Sequence, residues 1–252
     1  DLPAGVGDTQ VPGRYRTTPR ADQALFGYAA PVQSVKPVFF PARELLLRVR
    51  TTEPANPQIE PAPTAERPVA LLGLRSCDLA ALAQHDHILT ERAAVDVHYA
   101  ARRADTVVIA VACSDPAATC FCASLGTGPA PSGDFDIALT EVLDKDGHRF
   151  VADVGSDRGR DLLDAVGAGR AGERDLAAAE RVVAHATAAM TRHVETDDLV
   201  GILFSSVESA VWDEVADRCL ACTNCTLVCP TCFCSTIDDV SDLTSEHAER
   251  CR

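Results

Sequence analysis

Six cysteines fall within the sixteen residues CLACTNCTLVCPTCFC, 219–234, and the tetrapeptide Thr-Cys-Phe-Cys that closes this run also stands at 119–122. Thiols at this density form disulfides, bind metal or carry electrons. The chain has 11 cysteines and opens without a basic-then-apolar leader, so a reducing cytoplasm is the expected setting, where clustered thiols serve as ligands. Spacing agrees. The pairs Cys120/Cys122 and Cys232/Cys234 are Cys-x-Cys, which cannot readily close a local disulfide but can aim two thiolates at one metal centre.

The strongest pattern is C-x2-C-x2-C-x3-C-P, formed by Cys219, Cys222, Cys225, Cys229 and Pro230. Its tight turns let three thiolates hold three corners of a cubane, while the fourth cysteine turns to a second cluster. Structural zinc prefers two cysteine knuckles set apart by a longer stretch, and that gap is missing. The run therefore reads as an iron–sulfur site, with a zinc-stabilised interaction module as the alternative. A ferredoxin-type pair needs a second such run, and the sequence holds one; it reads as a fragment lacking its C-terminal end.

These cysteines need elements to place them. VALLGL, 69–74, and DTVVIAVAC, 105–113, are apolar runs of strand type, and a helix is expected over 78–93 between them. Strand, helix, strand implies a right-handed parallel unit, with ligands gathering at the carboxyl ends of its strands. Cys77 and Cys113 would share that rim, with the loop bearing Cys120 and Cys122 above it. The competing reading makes Cys77 and Cys113 small buried hydrophobes. Residues 36–50 read as a short extended piece and then a helix after Pro41. The proline-rich 51–68 reads as a loop. A hairpin is expected over 136–154, turning at Asp146-Gly147. Helices are expected around 157–166 and 172–195, and another delivering Cys219.

The expected architecture is an α/β domain over 1–196, a mostly parallel sheet with helices, followed over 197–252 by the start of an α-helical ferredoxin-type dicluster domain. A formal charge of −14 argues against a nucleic-acid partner, which needs a basic face. No apolar run is long enough to cross a bilayer, so no membrane is expected.

Three motifs in order, GLRSCDLAAL (73–82), VACSDPAATCFCASLGTGP (111–129) and RCLACTNCTLVCPTCFC (218–234), resemble the beta, iron–sulfur subunit of sulfhydrogenase-type, NADP-linked nickel–iron hydrogenases. The related A subunit of anaerobic sulfite reductase carries a similar pattern. RYRTTPRADQALFGYAAPVQSVKPVFFPARELL (14–46) also fits. The resemblance implies a first [4Fe–4S] cluster on Cys77, Cys113, Cys120 and Cys122, and a second on Cys219, Cys222 and Cys225. Cys229 would belong to a partner cluster, giving up to two in the complete C-terminal domain. Cys232 and Cys234 match the pattern without an assigned role, and Cys251 is taken as incidental. The implied function is electron relay, without substrate chemistry of its own. Electrons would pass between an NAD(P)H-oxidising flavoprotein and the small and large subunits of a nickel–iron hydrogenase, or the catalytic subunit of a sulfite reductase.

Several neighbours could tune such clusters. Gly126-Thr127-Gly128 would offer N–H groups to sulfur or make a plain turn. Phe121 and Phe233 would shield clusters from water. Lys36, one of two lysines, would offset thiolate charge or simply be solvated. Asp78 reads as the cap of the helix that starts at Cys77. His85 and His87 read as helix-surface residues.

Overall fold

The computed structural model describes residues 4–29, 34–51, 56–64, 67–244 and 246–252. In chain order the elements are β1 (Val6–Val11), β2 (Arg14–Pro19), α1 (Lys36–Phe39), β3 (Leu45–Arg50), β4 (Gln58–Pro61) and β5 (Val69–Leu74). There follow α2 (Ser76–Leu89), α3 (Val97–Asp105), β6 (Thr106–Val111), β7 (Ile137–Asp144), β8 (Gly147–Val154), α4 (Asp157–Ala165) and α5 (Glu173–Ala189). The last are α6 (Leu199–Ser205), α7 (Val211–Asp217), α8 (Asn224–Val228), β9 (Asp238–Ser241) and β10 (His247–Cys251). Among these, no helix is long and apolar enough to cross a membrane.

The chain divides into two compact units, each assembled from separate stretches. The first comprises Asp1–Gln33, Leu71–Ala80 and Val108–Cys229; the second comprises Ser34–Ala70, Ala81–Val107 and Pro230–Arg252. β10 pairs antiparallel with β3, which draws the last residues to the N-terminal third of the chain.

The first unit is built on a four-stranded sheet, ordered β5-β6-β7-β8. β6 and β7 run parallel, with Ile109 opposite Ile137, and β8 returns antiparallel as a hairpin with Asp144 opposite Gly147. Gly147 has φ +117, the left-handed region that glycine enters without a Cβ clash. Mixed α/β content is thus as expected, but the sheet is mixed rather than mostly parallel, and β1–β2 is a separate antiparallel hairpin. Val142 and Val151 of the hairpin pack against Ala178 of α5, with Ala179 and Val182 alongside. Alanine at these helix positions lets the helix lie close on the sheet.

The second unit carries the antiparallel sheet β4-β3-β10-β9. Residues 45–50, expected as helix, are strand β3, and the expected loop contributes edge strand β4; residues 52–55 and 65–66 of that loop lie outside the described residues. LLLRVR has no helical period to defend, and two partner strands satisfy its backbone. His85 is another correction. It is 1% exposed, its ring 6.1 Å from those of Phe40 and Tyr99, whereas His87 is exposed and meets Glu91 at 2.8 Å.

Candidate metal centre

Strand ends place four cysteines in the first unit. β5 stops at Leu74 and α2 starts two residues later, so Cys77 is the second residue of the helix. Asp78 is not the cap itself. It sits one residue further in, and its carboxylate reaches back to accept the Arg75 N–H at 2.9 Å, a contact that closes the helix's first turn. Cys113 lies two residues beyond β6, anchored as its N–H donates to Pro129 O at 3.2 Å. Cys120 and Cys122 lie in the crossover from β6 to its parallel neighbour β7. Parallel strands require such a connection, and this one is spent on a loop with no helix. The Cys120 N–H donates to Ala117 O at 3.0 Å and the Leu125 N–H to Cys122 O at 3.2 Å, which folds the loop into successive turns.

The thiols feel one another. Burial pushes Cys77 up to about 12, and the neighbouring Asp78, Cys113, Cys122 and Cys120 add to it. Cys77 keeps an open side to solvent, yet the protein crowded around it still disfavours a thiolate. Burial likewise lifts Cys113 to about 11, with Arg75 pulling the other way and Cys122 and Cys120 adding to the rise. Cys122 is raised by burial and by Cys120. Cys77, Cys113 and Cys122 each feel the charge of others of the four. None is a fully buried hydrophobe: Cys113, Cys120 and Cys122 are half-buried.

Among the described residues no three His, Cys, Asp or Glu side chains are gathered closely enough to chelate a single ion. A cubane spreads its thiolates over four separate irons, and its ligands stand further apart than the four around one zinc.

The sequence reading missed two residues here, Arg75 and Met190, and read Gly128 only as a turn or an N–H donor. Arg75, between β5 and α2, is 0% exposed, and among the described residues its guanidinium hydrogen-bonds only carbonyls. Gly128 leaves room for a sulfur, since a Cβ built on it would lie 2.9 Å from Cys122 Sγ and 3.3 Å from Ser76 Cβ. Met190, at the exit of α5, places its Sδ 3.9 Å from Cys122 Sγ. The expected shields do less. Phe121 is 42% and Phe233 39% exposed. Gly126 and Thr127 make a tight turn, their N–H groups donating to Ala123 O and Cys122 O at 3.3 and 3.0 Å. Lys36 opens α1 in the second unit.

The C-terminal run differs. Cys219, Cys222 and Cys225 are exposed and Cys229 is half-buried, and α6, α7 and α8 bury no residue. The Ala221 N–H points at Cys219 Sγ, 3.3 Å away. Ala221 and Thr223 adopt φ +49 and +61, a left-handed backbone that costs a non-glycine residue about 1–2 kcal/mol. In the second unit Cys232 is half-buried and Cys234 exposed. Cys251 is buried in β10, 3.7 Å from Arg43 Nη2.

No model of a known protein family and no solved structure matches the chain. It is 28% identical over 247 residues to the beta subunit of sulfhydrogenase 2 from Pyrococcus furiosus, an alignment covering 93% of this chain and 69% of that protein. The chain is thus related to sulfhydrogenase beta subunits, a relationship of moderate identity that spans both units.

Proposed function

We propose that this relative of sulfhydrogenase beta subunits is a cytoplasmic electron-transfer subunit that carries [4Fe–4S] clusters and has no substrate chemistry of its own. One cluster is held by Cys77, Cys113, Cys120 and Cys122. The run Cys219, Cys222 and Cys225 holds a second, and Cys229 serves its neighbour, in a segment that begins a ferredoxin-type domain. Cys232 and Cys234 are further candidate ligands. The partners are an NAD(P)H-oxidising flavoprotein and the subunits of a nickel–iron hydrogenase.

What supports this reading is that four cysteines lie at neighbouring strand-end and crossover-loop positions, next in the chain to the fully buried Arg75. Thiols raised as Cys77 and Cys113 are stay protonated at neutral pH, and a bound metal removes such protons outright. Arg75 is buried where only an anion would justify its charge. A cluster, when bound, supplies a reversible one-electron store. The chain's own residues do the rest. α2 and β6 fix two thiolates from rigid elements, the crossover loop supplies two more, Gly128 leaves space for Cys122, and Met190 covers it. At 219–229, strained left-handed residues stand between the cysteines, and such strain persists where function uses the geometry.

The test is iron and acid-labile sulfide per chain on anaerobically purified protein, with EPR after dithionite reduction. About four irons and four sulfides per occupied site are expected, with a reduced signal lost in Cys77→Ser and Cys122→Ser. The protein alone is expected to show no hydrogen uptake. Zinc without labile sulfide would overturn the proposal and leave an interaction module.

A further inference from the structure

We infer that Arg75 is the fixed counter-charge of the four-cysteine centre and holds its reduction potential up. This rests on the proposal that Cys77, Cys113, Cys120 and Cys122 bind a cluster.

Each of the four forked N–H contacts Arg75 makes goes to a neutral carbonyl. Nη1 donates to Ala112 O at 3.0 Å and Val111 O at 3.4 Å, and Nη2 to Phe26 O at 2.8 Å and Tyr28 O at 2.6 Å. Among the described residues Nε has no hydrogen-bond partner. The guanidinium lies 5.9 Å from the Phe26 ring and 5.2 Å from the Tyr28 ring, so dipoles and π-faces surround it, and among the described residues no carboxylate hydrogen-bonds it. Arginine is almost never fully buried without an anion. Asp78 is the nearest carboxyl in sequence. It attracts the Arg75 charge, but its carboxylate hydrogen-bonds the Arg75 backbone N–H, at 2.9 Å, and not the guanidinium.

The missing anion has an address. Arg75 stands two residues before Cys77, and the carbonyl it grips most closely at the end of β6 belongs to Ala112, whose peptide group leads into Cys113. A β-carbon built on Gly128 would meet both Cys122 Sγ and the Cβ of Ser76, the residue after Arg75. Four thiolates around a cluster carry net negative charge, and one-electron reduction adds another. A nearby fixed cation stabilises the reduced form more than the oxidised one, because attraction grows with the charge it faces. The four carbonyls keep the guanidinium from swinging away, so its effect on potential is constant.

The experiment compares wild-type protein with Arg75→Lys and Arg75→Gln, all purified anaerobically. Iron and labile sulfide are counted first. EPR-monitored redox titration follows, with dithionite as the electron donor. Arg75→Gln is expected to weaken one-electron reduction about tenfold, a fall of ~59 mV, while Arg75→Lys stays within about threefold of wild type. Equal potentials in all three loaded proteins would overturn the inference alone, as would Arg75→Lys falling as far as Arg75→Gln. Wild-type protein without iron would instead overturn the cluster proposal beneath it. Should Arg75→Gln fail to load, Arg75→Lys decides: loading at wild-type potential supports a charge role, and failure to load makes Arg75 a scaffold residue.

Discussion

Cys122 and Gly128 face each other so closely that a β-carbon on the glycine would lie 2.9 Å from the cysteine sulfur. Real side chains do not tolerate that approach, so either the sulfur or the backbone must move. Gly128→Ala is therefore expected to cut iron at the proposed first centre by more than half. Gly169→Ala, where a β-carbon would meet nothing within 4 Å, is expected to leave iron unchanged. Iron per chain on the two variants checks this.

The loop that grips Arg75 is itself held by one carboxylate. Glu141, 4% exposed, accepts the Leu25 N–H at 2.7 Å and the Phe26 N–H at 2.8 Å, and His148 Nε2 lies 2.7 Å from it. Replacing it with alanine strands two backbone donors. Glu141→Ala is expected to cost about 1–3 kcal/mol per donor left unsatisfied, read from denaturant unfolding. Loosening of the loop would also free the Phe26 and Tyr28 carbonyls from Arg75.

Acid should act through Asp136. Its burial tends to raise its pKa, but hydrogen bonds from Ser156, Arg158 and the Val108 N–H outweigh that and leave it lowered. Those contacts, at 2.5 Å from Ser156 Oγ and 2.8 Å from Val108 N, tie β6 to the start of α4. A carboxyl lowered on folding contributes its stability in full above its unfolded pKa, about 3.9, and loses it as pH falls through the folded value. Denaturant midpoints should hold from about pH 7 to about pH 5 and drop below about pH 4. In Asp136→Asn the wild-type advantage should be gone at neutral pH, and the acid slope shallower.

In the second unit, Glu44 lies between two arginines. Its side chain is 6% exposed, Arg102 Nη1 approaches Oε1 at 2.5 Å, and Arg252 contacts the other oxygen. Removing one partner of a buried charge pair costs about 3–5 kcal/mol, since the remaining charge loses its compensation. Glu44→Ala should accordingly speed hydrogen exchange at the Glu44 and Arg252 amides, which bond to each other's carbonyls at 2.8 Å. The amides of the β7–β8 hairpin serve as the internal reference.

Strands β5 and β6, helix α2 and the β7–β8 hairpin were legible because each announces itself within its own residues, by an apolar run, a helical stretch or a turn glycine. Leu45–Arg50 was not. Its identity as a strand depends on β10 at the far end of the chain, and no local period reports a distant partner. His85 looked like a surface residue because the helical pattern around it is polar. The rings that enclose it, Phe40 and Tyr99, come from other elements. Arg75 was passed over in GLRSCD for the same reason: an arginine beside a turn is ordinarily solvated, and only the convergence of four carbonyls from two other segments buries it.

By itself the sequence determined which atoms are available for chemistry. Cysteine spacing fixes which thiolates can reach a common centre through tight turns, and covalent connection makes that a local property. Tertiary structure alone decided what lies near those cysteines: a buried cation held by carbonyls, a glycine that makes way for a sulfur, and a methionine sulfur beside it. These are effects of burial and close approach. They depend on which distant segments pack together, and the order of residues does not state that.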